Sequence, residues 1–322
     1  MASPPTVLVT GVGAVIGYGI LRSLRAGDEV VRLVGMDTHE DAYGRLLADA
    51  FEEAVPAADP GYVAFIRRLV PTHGIDLIIP GIEQDLYALW RHRDQVPARI
   101  VLNNDRCLEL SQSKLETFRF FSRLGARFVI PTLSGCSYVE SVARLGLPFV
   151  LKPDFSYAGK GMAIIRSARD FDCAVGGLGG RRFVCQRLVG TDDDEYTVSV
   201  FGDGRGGYAD AIVLRRRLSP EGATAKAVYA DAEDAITEAV DAICRELEPV
   251  GPTNIQLRKE AGRAYLLEIN PRISSACSIR TLMGYNEPAM CVRYYLWGEL
   301  PEPARKRGGR VTRFIDDGLI DG

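Results

Sequence analysis

Histidine is scarce: the 322 residues hold three, none within a motif, so a histidine-based general acid or base has little support. Seven cysteines are scattered without CxxC pairing, which argues against a disulfide framework or a zinc site and for reduced, mostly buried thiols. No apolar run is long enough to span a bilayer, so no membrane association is expected. The opening Met1-Ala2-Ser3-Pro4-Pro5-Thr6 has no basic leader and runs straight into a β-branched strand, so the expectation is a cytoplasmic protein. A net charge of −3 supplies no broad basic field, which argues against nucleic acid as a partner. There is no internal repeat and no low-complexity tract.

What is present fits a globular chain of two or three modules, 47% hydrophobic and 25% charged. In the first third, short apolar runs (Val7 to Thr10, Val30 to Met36, Ile75 to Ile79, Ile100 to Leu102) alternate with amphipathic segments near Gly17 to Arg25, Val63 to Val70 and Leu86 to Arg93. Continuous apolar strands between helices predict an α/β unit with a parallel sheet covered on both faces. Beyond a boundary near residue 110 the pattern becomes α+β. Ser113 to Leu124 reads as a helix. Pro148 to Leu151, Ala163 to Ile165, Phe183 to Leu188 and Tyr196 to Phe201 read as strands. A long helix, Asp231 to Leu247, precedes strands at Asn254 to Leu257 and Ala264 to Ile269, and Arg310 to Ile315 reads as a final strand.

Gly11-Val12-Gly13-Ala14-Val15-Ile16-Gly17 follows a strand and opens a helix, with Asp37 ending the next strand. That context suits a dinucleotide, because glycines let a pyrophosphate approach a helix N-terminus. The spacing is G-x-G-x-x-x-G, however, and glycine turns also serve close strand–helix packing. The preferred reading is a Rossmann-like fold without a dinucleotide.

The stronger signal is Leu266-Leu267-Glu268-Ile269-Asn270-Pro271-Arg272. Period-two spacing aims Glu268, Asn270 and Arg272 at one face. A carboxylate beside an amide oxygen makes a hard-oxygen site suited to Mg²⁺, and Arg272 adds a planar fork for phosphate. Gln256, on the preceding strand, offers a further amide in a hairpin. Lys152 ends a buried strand where an unpaired ammonium would be costly. After it, Ser156-Tyr157-Ala158-Gly159-Lys160-Gly161 forms a glycine-rich turn able to cradle phosphate, and it is not a Walker A loop. Gln186-Arg187-Leu188 closes another strand before an acidic run and Glu195, while Arg215-Arg216-Arg217 and Lys226 are basic.

In this order the motifs resemble the ATP-grasp superfamily, in its carbamoyl phosphate synthetase large-subunit-like branch, over nearly the whole chain. The resemblance implies a Rossmann-like pre-ATP-grasp domain over 1–110 and a two-subdomain ATP-grasp domain over 111–322, with a lid at about 145–188. By position, Lys114 and Lys152 hold the α- and β-phosphates, and Gly159, Lys160 and Gly161 close over the triphosphate. Gln186, Arg187 and Leu188 form the adenine hinge, and Glu195 takes the ribose, with Asp193 or Asp194 as substitutes. Gln256, Glu268 and Asn270 form the Mg²⁺ shell, which would also admit Mn²⁺. Arg272, with Lys152 and Arg217, serves the transferred phosphoryl group, and Arg215, Lys226 and Arg280 are candidate acceptor contacts.

The implied activity is ATP-dependent carboxylate–amine ligation through an acyl phosphate, forming an amide or peptide-like bond. Its partners are a small-molecule carboxylate and amine, with a homodimer as the candidate assembly. The alternatives are an NAD(P)-dependent oxidoreductase built on the first glycine motif and a non-catalytic nucleotide-binding protein.

Overall fold

Residues 3–155, 161–314 and 317–320 are described by the structure, a computed structural model. Strands β1 (Thr6–Thr10), β2 (Arg32–Asp37), β3 (Ala50–Glu53), β4 (Ile75–Ile79) and β5 (Arg99–Ile100) form a parallel sheet in the order β3-β2-β1-β4-β5. Helices α1 (Val15–Arg25), α2 (Tyr62–His73) and α3 (Glu83–Arg91) connect them. The apolar runs of β1 and β4 split their side chains between two cores. Val7, Val9, Leu77 and Ile79 pack toward α1, and Leu8 and Ile78 toward α2. Both faces are covered, as a parallel sheet requires.

Helices α4 (Asp105–Gln112) and α5 (Lys114–Arg123) lead into a four-stranded antiparallel sheet. It contains β6 (Thr132–Ser134), β7 (Phe149–Pro153), β8 (Ala163–Ile165) and β9 (Phe183–Arg187), ordered β6-β9-β7-β8 and backed by α6 (Tyr138–Leu145) and α7 (Ala168–Gly177). This unit starts at Thr132, earlier than a lid beginning near 145, because β6 pairs with β9 and belongs to the same sheet.

The largest sheet has six strands in the order β14-β13-β10-β11-β12-β15. They are β10 (Glu195–Asp203), β11 (Tyr208–Leu218), β12 (Thr224–Tyr229), β13 (Val250–Glu260), β14 (Arg263–Asn270) and the short β15 (Arg310–Thr312). On β10, Tyr196, Val198 and Val200 pack in a core with helix α8 (Asp234–Leu247), which leaves Glu195, Thr197 and Ser199 for the other face. Helices α9 (Cys277–Leu282) and α10 (Glu287–Val292) complete the fold. A single core runs from Val9 and Leu21 of the first sheet and α1 to Phe201, Ile279 and Cys291. That shared core fixes the N-terminal unit against the six-stranded sheet.

Candidate functional site

The polar face of the large sheet is built by register. Gln256 stands opposite Glu268, and Asn254 opposite Asn270, across β13 and β14. Leu257 pairs with Leu266, so Leu267 is an extra residue in β14. This bulge lets Leu266 stay in the α8 core while Glu268 and Asn270 turn to the polar face. The expected juxtaposition of Glu268, Asn270 and Arg272 therefore forms. Arg272 lies just past the strand and reaches back to Asn270 Oδ1 at 3.3 Å and across to Glu83 Oε2 at 3.0 Å. Glu83 begins α3, so this ion pair ties the polar face to the N-terminal unit.

Two lysines bear on the same carboxylate, one from the start of α5 and one from β7. Lys114 Nζ is 3.4 Å from Glu268 Oε1. Lys152, at the end of β7, is half-buried, and loss of hydration pushes its ammonium down to about 8. Glu268 opposes that shift and Lys114 adds to it. A half-desolvated cation beside a second cation is a site prepared for a polyanion.

Asp154, fully buried, holds the lysines in place. Its Oδ1 accepts from Ser113 Oγ at 2.8 Å and from the Leu115 backbone N–H at 2.9 Å. Asp154 was not singled out in the sequence; a carboxylate beside a buried strand end was the available signal.

Gln186 is 1% exposed, and its Nε2 donates to Thr132 Oγ1 at 2.9 Å. Its Oε1 is buried without a hydrogen-bond partner. A buried acceptor of this kind costs stability until a donor meets it, so the end of β9 fits a ligand carrying an N–H. Arg187 and Leu188 follow at the same strand end, with Arg187 paired to Glu260 at 2.6 Å. Gly161 has φ +78°, and a Cβ there would stand 2.9 Å from Pro153 Cγ, so the turn after Lys152 needs glycine. Gly159 and Lys160 lie outside the described residues.

Several expected site residues are placed elsewhere. Glu195 is buried with both oxygens in ion pairs, Oε1 to Arg216 at 2.9 Å and Oε2 to Arg258 at 2.9 Å, so it anchors the sheet face instead of meeting a ribose. Its proposed substitutes are also engaged: Asp193 pairs with Arg217, and Asp194 accepts from Thr191 at 2.8 Å. Strand alternation sorts the three arginines of β11. Arg216 turns inward and donates to Gln256 Oε1 at 2.8 Å, whereas Arg215 and Arg217 are exposed on the opposite face. Arg217 is paired in register with Lys226, also exposed, so Arg215, Arg217 and Lys226 stand behind the site. Gln256 Oε1 is held by the buried Arg216 at 2.8 Å, a closer contact than the 3.3 Å from Arg272 to Asn270 Oδ1, so Glu268 and Asn270 are the less engaged candidate oxygen pair. Arg280 is fully buried and pairs with the fully buried Glu287 at 3.1 Å. It also donates to Thr197 and Asn254, at 2.9 and 2.7 Å. That guanidinium is a core element, its amino groups spent on Glu287, Ser274, Thr197 and Asn254.

The glycines after β1 and β4 are used in packing. A Cβ on Gly17 would fall 2.3 Å from the Gly11 carbonyl oxygen, and one on Gly81 2.0 Å from that of Thr10. The Gly13 N–H, which a pyrophosphate would need, donates to Asp37 Oδ2 at 2.8 Å. These glycines serve close packing of strand and helix, against the oxidoreductase alternative.

A cavity of about 600 Å³ opens at the carboxyl ends of β1, β2 and β4, lined in part by Gly11, Asp37, Ile82, Glu83 and Asp85. Burial pushes the Asp85 carboxyl up to about 6, while the Thr10 and Tyr62 hydroxyls pull it down. Phe155 and Gln112 line the same cavity, so it reaches from the first sheet to the root of the lid. Among the described residues, no helix is long and apolar enough to cross a membrane, and no three His, Cys, Asp or Glu cluster as metal ligands.

Known proteins share this fold. Residues 186–315 match the family described as ATP-grasp in the biosynthetic pathway with Ter operon. Formate-dependent phosphoribosylglycinamide formyltransferase of Xanthomonas oryzae is 26% identical over 236 residues, 65% of this chain and 55% of that protein. The chain thus spans about half the length of the curated relatives it matches. N5-carboxyaminoimidazole synthetase from Staphylococcus aureus, solved with ADP, superposes with a TM-score of 0.75 at 17% identity, covering 95% of this chain and 81% of that one. L-amino acid ligase from Bacillus licheniformis superposes with a TM-score of 0.68 at 14% identity, covering 92% and 75%. The expected fold is borne out, while the carbamoyl phosphate synthetase-like branch fits only loosely.

Proposed function

We propose that this chain is a member of the ATP-grasp superfamily and an ATP-dependent carboxylate–amine ligase that releases ADP and phosphate. The observation that carries the reading is the convergence of Lys114, Lys152, Glu268, Asn270 and Arg272 between the lid sheet and the polar face of the large sheet. The ADP held by the Staphylococcus aureus neighbour supports a nucleotide in the corresponding cleft.

In this reading the unpartnered Gln186 oxygen accepts from the adenine amino group, beside Arg187 and Leu188 at the hinge. Lys114 and Lys152 neutralise the inner phosphates, and the glycine turn at Gly161 follows beside them. Glu268 and Asn270 would hold Mg²⁺. One carboxylate and one amide oxygen suit an ion that keeps waters and phosphate oxygens in its shell, and when bound it supplies charge neutralisation of the phosphates. Arg272, set by Glu83 and Asn270, is placed to steady the transferred phosphoryl group.

An oxygen of the substrate carboxylate attacks the γ-phosphorus, and the bond to the ADP oxygen breaks. The amine nitrogen then attacks the acyl carbon. The bond to phosphate breaks as the amide forms, and the nitrogen gives up a proton to solvent. No enzyme nucleophile takes part, so catalysis is positioning and electrostatic stabilisation. The test is ADP release across a matrix of carboxylates and amines, with MgATP binding measured separately. ATP binding without turnover on any pair would overturn the ligase reading.

A further inference from the structure

We propose that the outer edge of the six-stranded sheet, at β15, docks an acidic, extended segment of a partner protein. The residues concerned are the basic ones that stand behind the polar face. Register sets Arg217 directly opposite Lys226, and Arg215 and Arg310 on either side of Val228. Paired residues share a face, and side chains alternate along each strand. Ala227 and Val311 pack into the core on the other face, so Arg215, Arg217, Lys226 and Arg310 project together, and all four are exposed. Like charges directly opposite each other destabilise a sheet, a cost that an anionic partner would relieve. Asp193 engages Arg217. Arg215, Lys226 and Arg310 have no hydrogen-bond or ion-pair partner among the described residues.

The strand edge is the second argument. β15 ends the sheet. The Tyr229 N–H donates to the Gly309 carbonyl and the Arg313 N–H to the Ala225 carbonyl, both at 3.0 Å. Antiparallel strands bond at alternate positions, so the N–H and C=O of Arg310 and Thr312 point outward, to the open edge. An extended chain can add there as a further strand. Every second side chain would then lie on the face of Arg310 and Lys226, where a carboxylate gains from both. A second copy added edge to edge would instead join two basic faces, which like charge opposes. The chain carries a net charge of −3, so a long polyanion would run off this face onto acidic surface. A short acidic segment fits better than a nucleic acid.

The test uses the full chain with a fluorescent poly-L-glutamate peptide, and with a poly-dT strand and phosphatidylglycerol vesicles as competing probes. The peptide should bind with an affinity that falls as salt rises. Lys226→Gln/Arg310→Gln should weaken it about tenfold, with circular dichroism showing a folded chain. Thr312→Pro removes one outward N–H and spares the bonds to β12, so it too should weaken binding about tenfold. Failure of the wild-type chain to bind the peptide overturns the proposal, as does unchanged affinity in the Gln double variant. Unchanged affinity in Thr312→Pro overturns docking along the strand edge. Tighter binding of poly-dT or of the vesicles overturns the choice of an acidic protein segment.

Discussion

Asp154 accepts a hydrogen bond from Ser113 at 2.8 Å, joining the end of lid strand β7 to the N-terminus of helix α5. Ser113 also caps α5 by accepting from the Glu116 N–H at 3.1 Å, so one short network sets the separation of Lys114 and Lys152. The four-stranded sheet is therefore anchored at the point where it meets the proposed phosphate site.

Asp154→Ala should weaken MgATP binding about tenfold, because both lysines lose their common support. It should also cost about 1–3 kcal/mol of stability, as buried donors on Ser113 and Leu115 lose their acceptor. Titration calorimetry and denaturant unfolding measure the two effects. Unchanged ATP affinity in a destabilised variant would make Asp154 a purely structural residue.

Affinity for MgATP should fall as pH rises through about 8. Burial lowers the Lys152 pKa, so the lysine is charged below that value and loses its charge above it. The sign for stability is opposite: the cost of burying the charge is present below about 8 and is relieved as pH rises toward the ordinary lysine value. Lys152→Arg keeps its charge across this range, so its binding profile should lack the inflection. An identical inflection in that variant would assign it to another group.

The basic residues of β11 and α9 should separate cleanly. Arg280→Met should destabilise the fold by about 3–5 kcal/mol, since it strands the buried Glu287 carboxylate. Arg217→Ala, exposed and behind the site, should change stability by less than about 0.5 kcal/mol and leave ATP affinity unaltered. Thermal unfolding of both variants checks this. A stable, folded Arg280→Met with altered acceptor use would restore Arg280 to the site.

Much of this was legible in the chain. Apolar runs between helices gave the parallel sheet, because a strand buried on both faces leaves no polar alternation. Glu268 and Asn270 were legible because polar residues two apart on a strand share a face. The three-arginine run was not, since which member faces inward depends on the register of β11 against β10, set by pairing and not by composition. Glu195 was misread for a related reason. A buried carboxylate facing two arginines, one on each neighbouring strand, looks in sequence like any acidic residue at a strand start. Only the basic end of β11 was legible as strand; its pairing with β12, and strand β6, were missed, being short or amphipathic segments stabilised by their neighbours in the sheet.

The proposed role of Glu268 and Asn270 is the metal-dependent heart of an ATP-using ligase. It is tested most directly by ADP release over the acid–amine matrix, comparing the wild type with the Glu268→Ala/Asn270→Ala double variant, with circular dichroism to establish that both are folded. The expected result is release that depends on at least one acid–amine pair in the wild type and is abolished in the folded double variant. Full activity in that double variant would contradict the account.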